Sequence, residues 1–174
     1  MESSTITTGG IFILCCIIIF VLINLNKRKK EKQLLQPLNR LALNDNCKIT
    51  KYNIWNNSII GLDRIANQLF VITDLADKET FQKIKLADVL KCRVNELSRT
   101  VIMEGRNERT PGMGVKIINK VELIFTNRDK NKPDIMVEFY NNETGNLAIS
   151  GELQMAQMWC KLINDAISPL AAIR

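Results

Sequence analysis

The chain has 174 residues, enough for one domain of ordinary size and an accessory segment. It carries 24 Lys and Arg against 18 Asp and Glu, a net charge of +6, and no histidine. The missing imidazole excludes histidine-based triads, histidine general bases and histidine metal sites.

The 46% hydrophobic content is concentrated near the N-terminus. From Ile11 to Ile23, "IFILCCIIIFVLI", every residue is apolar, and extending to Thr5 and Leu25 gives 21 uncharged residues. As a helix these would measure about 31 Å, close to the roughly 30 Å bilayer core. No polar stripe interrupts the run, so a core helix of a water-soluble domain is a poor fit. A transmembrane helix over residues 11–25 is expected, preceded by a short outer segment, 1–10. A cleaved signal peptide would place its basic residues before the apolar run, whereas here only Glu2 precedes it and Lys27, Arg28, Lys29, Lys30 and Lys32 follow. A lipoprotein signal needs a small residue ahead of its cysteine, and Leu14 precedes Cys15.

Basic residues next to a span stay on the cytoplasmic side. This predicts a cell-membrane protein with its N-terminus outside and everything after Leu25 in the cytoplasm, in contact with the bilayer surface through Lys27, Arg28, Lys29, Lys30 and Lys32. Residues 27–32 carry net +4 and Glu2 carries −1, leaving only +3 for residues 33–174. A nucleic-acid binder would instead spread basic and aromatic residues over a folded surface. Cys47, Cys92 and Cys160, an odd number without paired spacing, suggest free thiols rather than a disulfide scaffold. Asn56-Asn57-Ser58 and Asn142-Glu143-Thr144 match the glycosylation pattern, which carries no meaning on a cytoplasmic domain.

Residues 26–46 form a basic, partly helical juxtamembrane linker. "EKQLLQPLNRLALNDN" has leucines at 34, 35, 38, 41 and 43, interrupted by Pro37. It suits a short amphipathic piece at the membrane surface or against the domain, and is too short for a coiled-coil stalk. A domain follows over 47–168, opening with "NSIIGLDRIANQLFVITD", two apolar runs joined by Asp63 to Gln68 as in a hairpin. Strand-like stretches follow at 80–86, 91–97, 99–104, 119–127 and 134–141. In the last two, apolar and polar residues alternate, the period of antiparallel strands with one buried face, and "RDKNKPD" supplies the turn between them. The period then changes to that of a helix: Leu153, Ala156, Cys160, Ile163 and Ile167 form a stripe. Ser150 is the expected N-cap, Glu152 lies on a solvated first turn, and Pro169 stands beyond the end, followed by a tail, 169–174.

About seven antiparallel strands and a closing helix resemble the pleckstrin-homology-like (PH-like) fold, in which two sheets form a barrel capped by a C-terminal helix. The similarity covers residues 47–168. It rests on "IIGLDRIANQLFVIT", similar to the first hairpin of bacterial members, "IKLADVLKCRV", similar to their third strand, turn and fourth strand, and "QMAQMWCKLI", similar to their tryptophan-bearing final helix. The resemblance implies a scaffold for binding, and a fold alone does not define a function. In the first hairpin turn Arg64 is the only basic residue, so the Lys-x-Arg phosphate clamp of lipid-binding members is missing.

Nothing in the chain points to catalysis, a cofactor or a metal. Asp74 with Asp77, and Glu104 with Glu108, read as solvated loop charges. Gly112-Met113-Gly114 lacks the context of a dinucleotide or phosphate loop. The expected function is a non-catalytic protein-interaction or assembly module of a cytoplasmic or membrane partner. The alternative is a sensor of anionic lipid headgroups using the same domain. The irregular stretch 105–118, "GRNERTPGMGVKII", offers Arg106, Arg109 and Met113 as candidate partner contacts.

Overall fold

The computed structural model describes residues 35–75, 78–103, 113–144 and 149–172, together with Ile17, Ile18, Phe20, Val21, Leu22, Leu25, Lys29 and residues 31–33. A helix over residues 35–44, α1, comes first. It is followed by β1 (Lys51–Trp55), β2 (Ser58–Asp63), β3 (Gln68–Leu75), β4 (Lys78–Lys85), β5 (Val89–Met103), β6 (Met113–Asn127), β7 (Ile135–Asn141) and helix α2 (Glu152–Ala172). The strands make two antiparallel sheets, in the orders β1-β2-β3-β4 and β5-β6-β7. Among the described residues the domain is thus mainly β, with seven strands and a C-terminal helix.

The expected strand count holds through two differences that offset each other. The stretches 91–97 and 99–104 are one strand, β5, with a register shift between Leu97 and Ser98 where the sequence pattern breaks. The strand β1, "KYNIW", was not anticipated. Only Trp55 is fully buried in it, so it lacks the apolar density of its neighbours. The hairpin read from "IIGLDRIANQLFVIT" is β2–β3, with Asp63 opposite Gln68, and it is the second hairpin of the sheet, not the first.

Three asparagines set the turns around this first sheet. Asn46, Asn56 and Asn67 adopt φ of 54°, 48° and 51°, a left-handed conformation that asparagine tolerates better than other residues with a Cβ. At Asn46 the end of α1 is closed twice: Asn46 N–H donates to Leu43 O at 3.0 Å and Cys47 N–H to Ala42 O at 2.8 Å. This is the paired 5→2 and 6→1 bonding of a Schellman cap. The chain is thereby turned back onto the sheet.

The apolar runs in β2 and β3 are continuous because both faces of the sheet are covered. Ile60, Leu62, Leu69 and Val71 face the main core, while Ile59, Phe70 and Ile72 pack with Leu38, Ala42 and Cys47 beneath α1. Leu38 lies over Gly61, where an added Cβ would stand 2.8 Å from Leu38 Cδ2 and 3.2 Å from Ile49 Cδ1. Glycine at 61 lets the helix approach this closely. The domain's buried core therefore reaches upstream of Cys47 into the stretch read as a linker.

Between the two sheets, Trp55 of β1 stacks on Phe139 of β7 with ring centroids 4.3 Å apart. Fully buried Trp159 of α2 donates from Nε1 to Asn53 Oδ1 at 3.1 Å, tying the helix to β1. Asn164 ties it to the outer edge of β5: Cys92 N–H donates to Asn164 Oδ1 at 2.9 Å, and Asn164 Nδ2 donates to Cys92 O at 2.8 Å. The side chain amide thus completes backbone pairing that an edge strand would otherwise leave open.

The start of α2 differs from expectation. Helix residues begin at Glu152, preceded by Gly151 at φ +112°, a conformation that favours glycine. Ser150 does not cap the helix; its N–H and hydroxyl donate to the Glu152 carboxylate at 2.6 and 3.3 Å, and Glu152 is buried rather than solvated. Pro169 lies within the helix, which continues to Ala172.

Candidate functional site: a lysine-lined groove at the open edge of β4

The residues first expected to make contacts fall mostly outside the described structure. Arg106 and Arg109 lie outside the described residues. Met113 begins β6, its backbone opposite Met103. The stretch 105–118 is shorter as a loop than expected, since residues 113–118 pair with 98–103 and lengthen the β5–β6 hairpin beyond the part that β7 joins. Of the membrane-surface cluster, Lys27, Arg28 and Lys30 are outside the described residues, while Lys29 and Lys32 are helical and exposed. The run 11–25 lies largely outside them as well; its described members Ile17, Ile18, Phe20, Val21, Leu22 and Leu25 are helical and exposed. No helix among the described residues is long and apolar enough to cross a membrane.

What the fold assembles instead is a groove of about 500 Å³ at the end of β4. One wall is Lys83, Ile84 and Lys85 of β4, the base is Asp88 and Val89 at the corner into β5, and the other wall is Asn127, Lys132, Pro133 and Ile135. Lys83 and Lys85 are exposed on one face of β4 while Ile84 is buried on the other. Three consecutive residues lining one groove means that it runs along the strand's edge. Among the described strands β4 pairs only with β3, so that edge is open.

Local bonds hold both walls in place. Leu86 N–H donates to Asn67 O at 3.0 Å, and buried Leu86 and Val89 pin the corner into the core. The opposite turn is ordered by Asp129, whose Oδ1 accepts from Asn131 N–H at 3.0 Å and whose carbonyl accepts from Lys132 N–H at 3.1 Å. Asn127 Nδ2 donates to Pro133 O, and Arg128 N–H donates to Asp88 O at 2.8 Å, joining turn to corner. Lys132 and Pro133 are presented by a turn whose geometry exists before anything binds.

The groove's electrostatics are basic over an apolar floor. Ile84 and Val89 are buried and Ile135 half-buried. Lys83 Nζ already meets Asp45 Oδ1 at 2.6 Å, an ion pair about one-third exposed on each side and worth at most about 1 kcal/mol in that setting. It is a contact that an incoming carboxylate can share or replace.

Two other polar centres have structural roles. Buried Asp63 accepts from Lys48 N–H at 2.6 Å, Ile65 N–H at 2.8 Å and Ala66 N–H at 3.0 Å. Burial alone would raise its pKa, but these donors hold it below the usual aspartate value. On the second sheet Glu122 stands opposite Glu138 across β6 and β7, and Lys120 Nζ joins them at 2.6 and 3.2 Å. Burial opposes ionisation of Glu122, yet Lys120 and Asn95 lower its pKa, while the bond to Glu122 raises that of Lys120. No group of His, Cys, Asp or Glu suited to a metal ion occurs among the described residues.

Sequence reasoning did not single out the groove. In the sequence "IKLAD" reads as a strand and turn, and "RDKNKPD" as a turn alone. The available signal was the alternation of Lys83 and Lys85 on a strand, but lysines also serve to keep open edges from pairing with one another. No protein-family model, curated protein or solved structure matches this chain.

Proposed function

We propose that the chain is a single-pass membrane protein whose cytoplasmic domain is a non-catalytic, PH-like module that binds or assembles a protein partner. The order of two antiparallel sheets and a C-terminal helix is what supports the PH-like reading. The apolar run at 11–23 within the expected span 11–25, followed by Lys27, Arg28, Lys29, Lys30 and Lys32, supports the anchor and its orientation. The observation that carries the interaction role is the preformed groove at β4, a concave site with an apolar floor and charged rim on an open strand edge.

Headgroup binding is the second reading, because the same lysines attract phosphate. The test is affinity capture from detergent-solubilised membranes with mass spectrometry, comparing the full chain with residues 31–174. That fragment keeps α1, whose Leu38 and Ala42 are part of the buried core. A stoichiometric protein bound to both forms is the expected result. Enrichment of one anionic lipid without a protein would replace the proposal by the headgroup reading.

A further inference from the structure

We infer that the groove accepts an extended acidic peptide segment of a partner, added as a strand to the open edge of β4. This deepens the interaction reading above and rests on it. Strand addition needs an unpaired edge for main-chain bonds and pockets for alternate side chains. Both are present: β4 has no second neighbour among the described strands, and half-buried Ile135 with exposed Pro133, over the buried Ile84 and Val89, offers an apolar surface for one side chain of every two. The rim determines the sign of the incoming charge. Lys83, Lys85 and Lys132 stand against Asp88 in the lining and Asp45, which pairs with Lys83, so the rim keeps a net positive charge carried by Lys85 and Lys132.

The same lysines rule against a second copy of the chain, since two β4 edges placed together would set Lys83 and Lys85 against their own counterparts. The path of α1 rules against the host membrane. Tyr52 of β1 donates its hydroxyl to Glu31 Oε1 at 2.9 Å, Leu38 lies over β2, and Asp45 reaches Lys83 of β4. From Glu31 to Asp45 the described residues therefore cross the sheet from β1 to β4, and Glu31, the end nearer in sequence to the proposed anchor, lies at β1. Three strand spacings, about 14 Å, lie between that edge and the groove, more than the Debye length of about 8 Å at physiological salt.

The experiment uses the full chain in neutral phosphatidylcholine nanodiscs. The probe is a fluorescent peptide of about eight residues alternating glutamate and valine, a length matching one strand. Saturable binding is expected, weakening several-fold as salt rises from about 0.05 to 0.2 M. Lys85→Glu with Lys132→Glu should weaken it at least about tenfold, whereas Lys48→Glu with Lys161→Glu, equal in net charge and off the groove, should change it less than about twofold. Backbone N-methylation at alternate peptide residues should abolish binding. Tryptophan emission of each variant checks that the fold is retained. Absence of peptide binding, equal loss in both charge variants, or binding indifferent to N-methylation would overturn strand addition at this site. So would preferential, Lys85- and Lys132-dependent binding of phosphatidylserine vesicles over the peptide. If the peptide fails while affinity capture still returns a protein with wild type and with the Lys85→Glu/Lys132→Glu variant, the groove inference falls and the interaction role stands. If capture also returns none, both fall.

Discussion

Replacing Gly61 by alanine would place a methyl carbon 2.8 Å from Leu38 Cδ2, whereas ordinary contact begins at 3.4 Å. Leu38 is fully buried between α1 and β2, so it cannot swing into solvent to make the missing 0.6 Å. Overpacking of this kind costs about 1–3 kcal/mol. Leu38→Ala alone should cost about 2–5 kcal/mol, from lost burial and the cavity it leaves. Together the two changes should not add: with Leu38 truncated the alanine at 61 meets only Ile49, tight at 3.2 Å but able to shift into the space Leu38 leaves, and most of its cost should disappear. The expected coupling is therefore about 1–3 kcal/mol in the favourable direction, well above the roughly 0.3–0.5 kcal/mol scatter of independent sites. Trp55 and Trp159, both buried, report unfolding of the four proteins in urea by fluorescence. Additive losses would refute the docking of α1 over β2, and with it the geometry that places the chain's approach at β1.

Further outcomes are expected. Trp159→Ala should lower stability by about 3–5 kcal/mol, since it empties a core position and strips Asn53 of its donor; a loss under about 1 kcal/mol in urea would mean that α2 does not close the core. Asn164→Leu should cost about 1–3 kcal/mol by leaving Cys92 N–H unpaired and its C=O with only the weak Cys160 thiol as donor, with faster amide exchange at Cys92 as the local signature. The depressed pKa values of Asp63 and Glu122 mean that their stabilisation is complete above the ordinary values of 3.8 and 4.5 and is lost as pH falls through the lowered ones. In Lys120→Met, Glu122 and Glu138 face each other without a cation, so stability at neutral pH should drop and then recover relative to wild type on acidification; parallel pH profiles would contradict this. For topology, Cys47 and Cys92 are buried and unsuitable as reporters, but Ile65, 87% exposed, can be replaced by cysteine. An impermeant maleimide should label Ile65→Cys only after the membrane is permeabilised, and labelling in intact cells would reverse the proposed orientation.

Much of the architecture is legible along the chain because it depends on local periodicity. Val121, Leu123 and Phe125 alternate with Glu122, Ile124 and Thr126, and Val137 and Phe139 flank Glu138, and the alternating apolar residues line one core. The spacing of Ala156, Trp159, Ile163 and Ile167 likewise marks the buried stripe of α2. Where a strand's contribution is not apolar, the pattern fails: β1 supplies Asn53 as an acceptor for Trp159, and neither residue announces the other across 106 positions. The role of α1 is equally silent, because leucines spaced along a polar segment suit a membrane surface as well as a sheet. Only Gly61 and the outward faces of Ile59, Phe70 and Ile72 decide between them. The apolar run at 11–23 and the lysines after it are properties of composition, fixed in the sequence itself. The groove is a property of distance: Lys83–Lys85 and Asn127–Ile135 are some forty residues apart and come together only because the corner at Asp88 and the turn at Asp129 are bonded to each other in the folded chain.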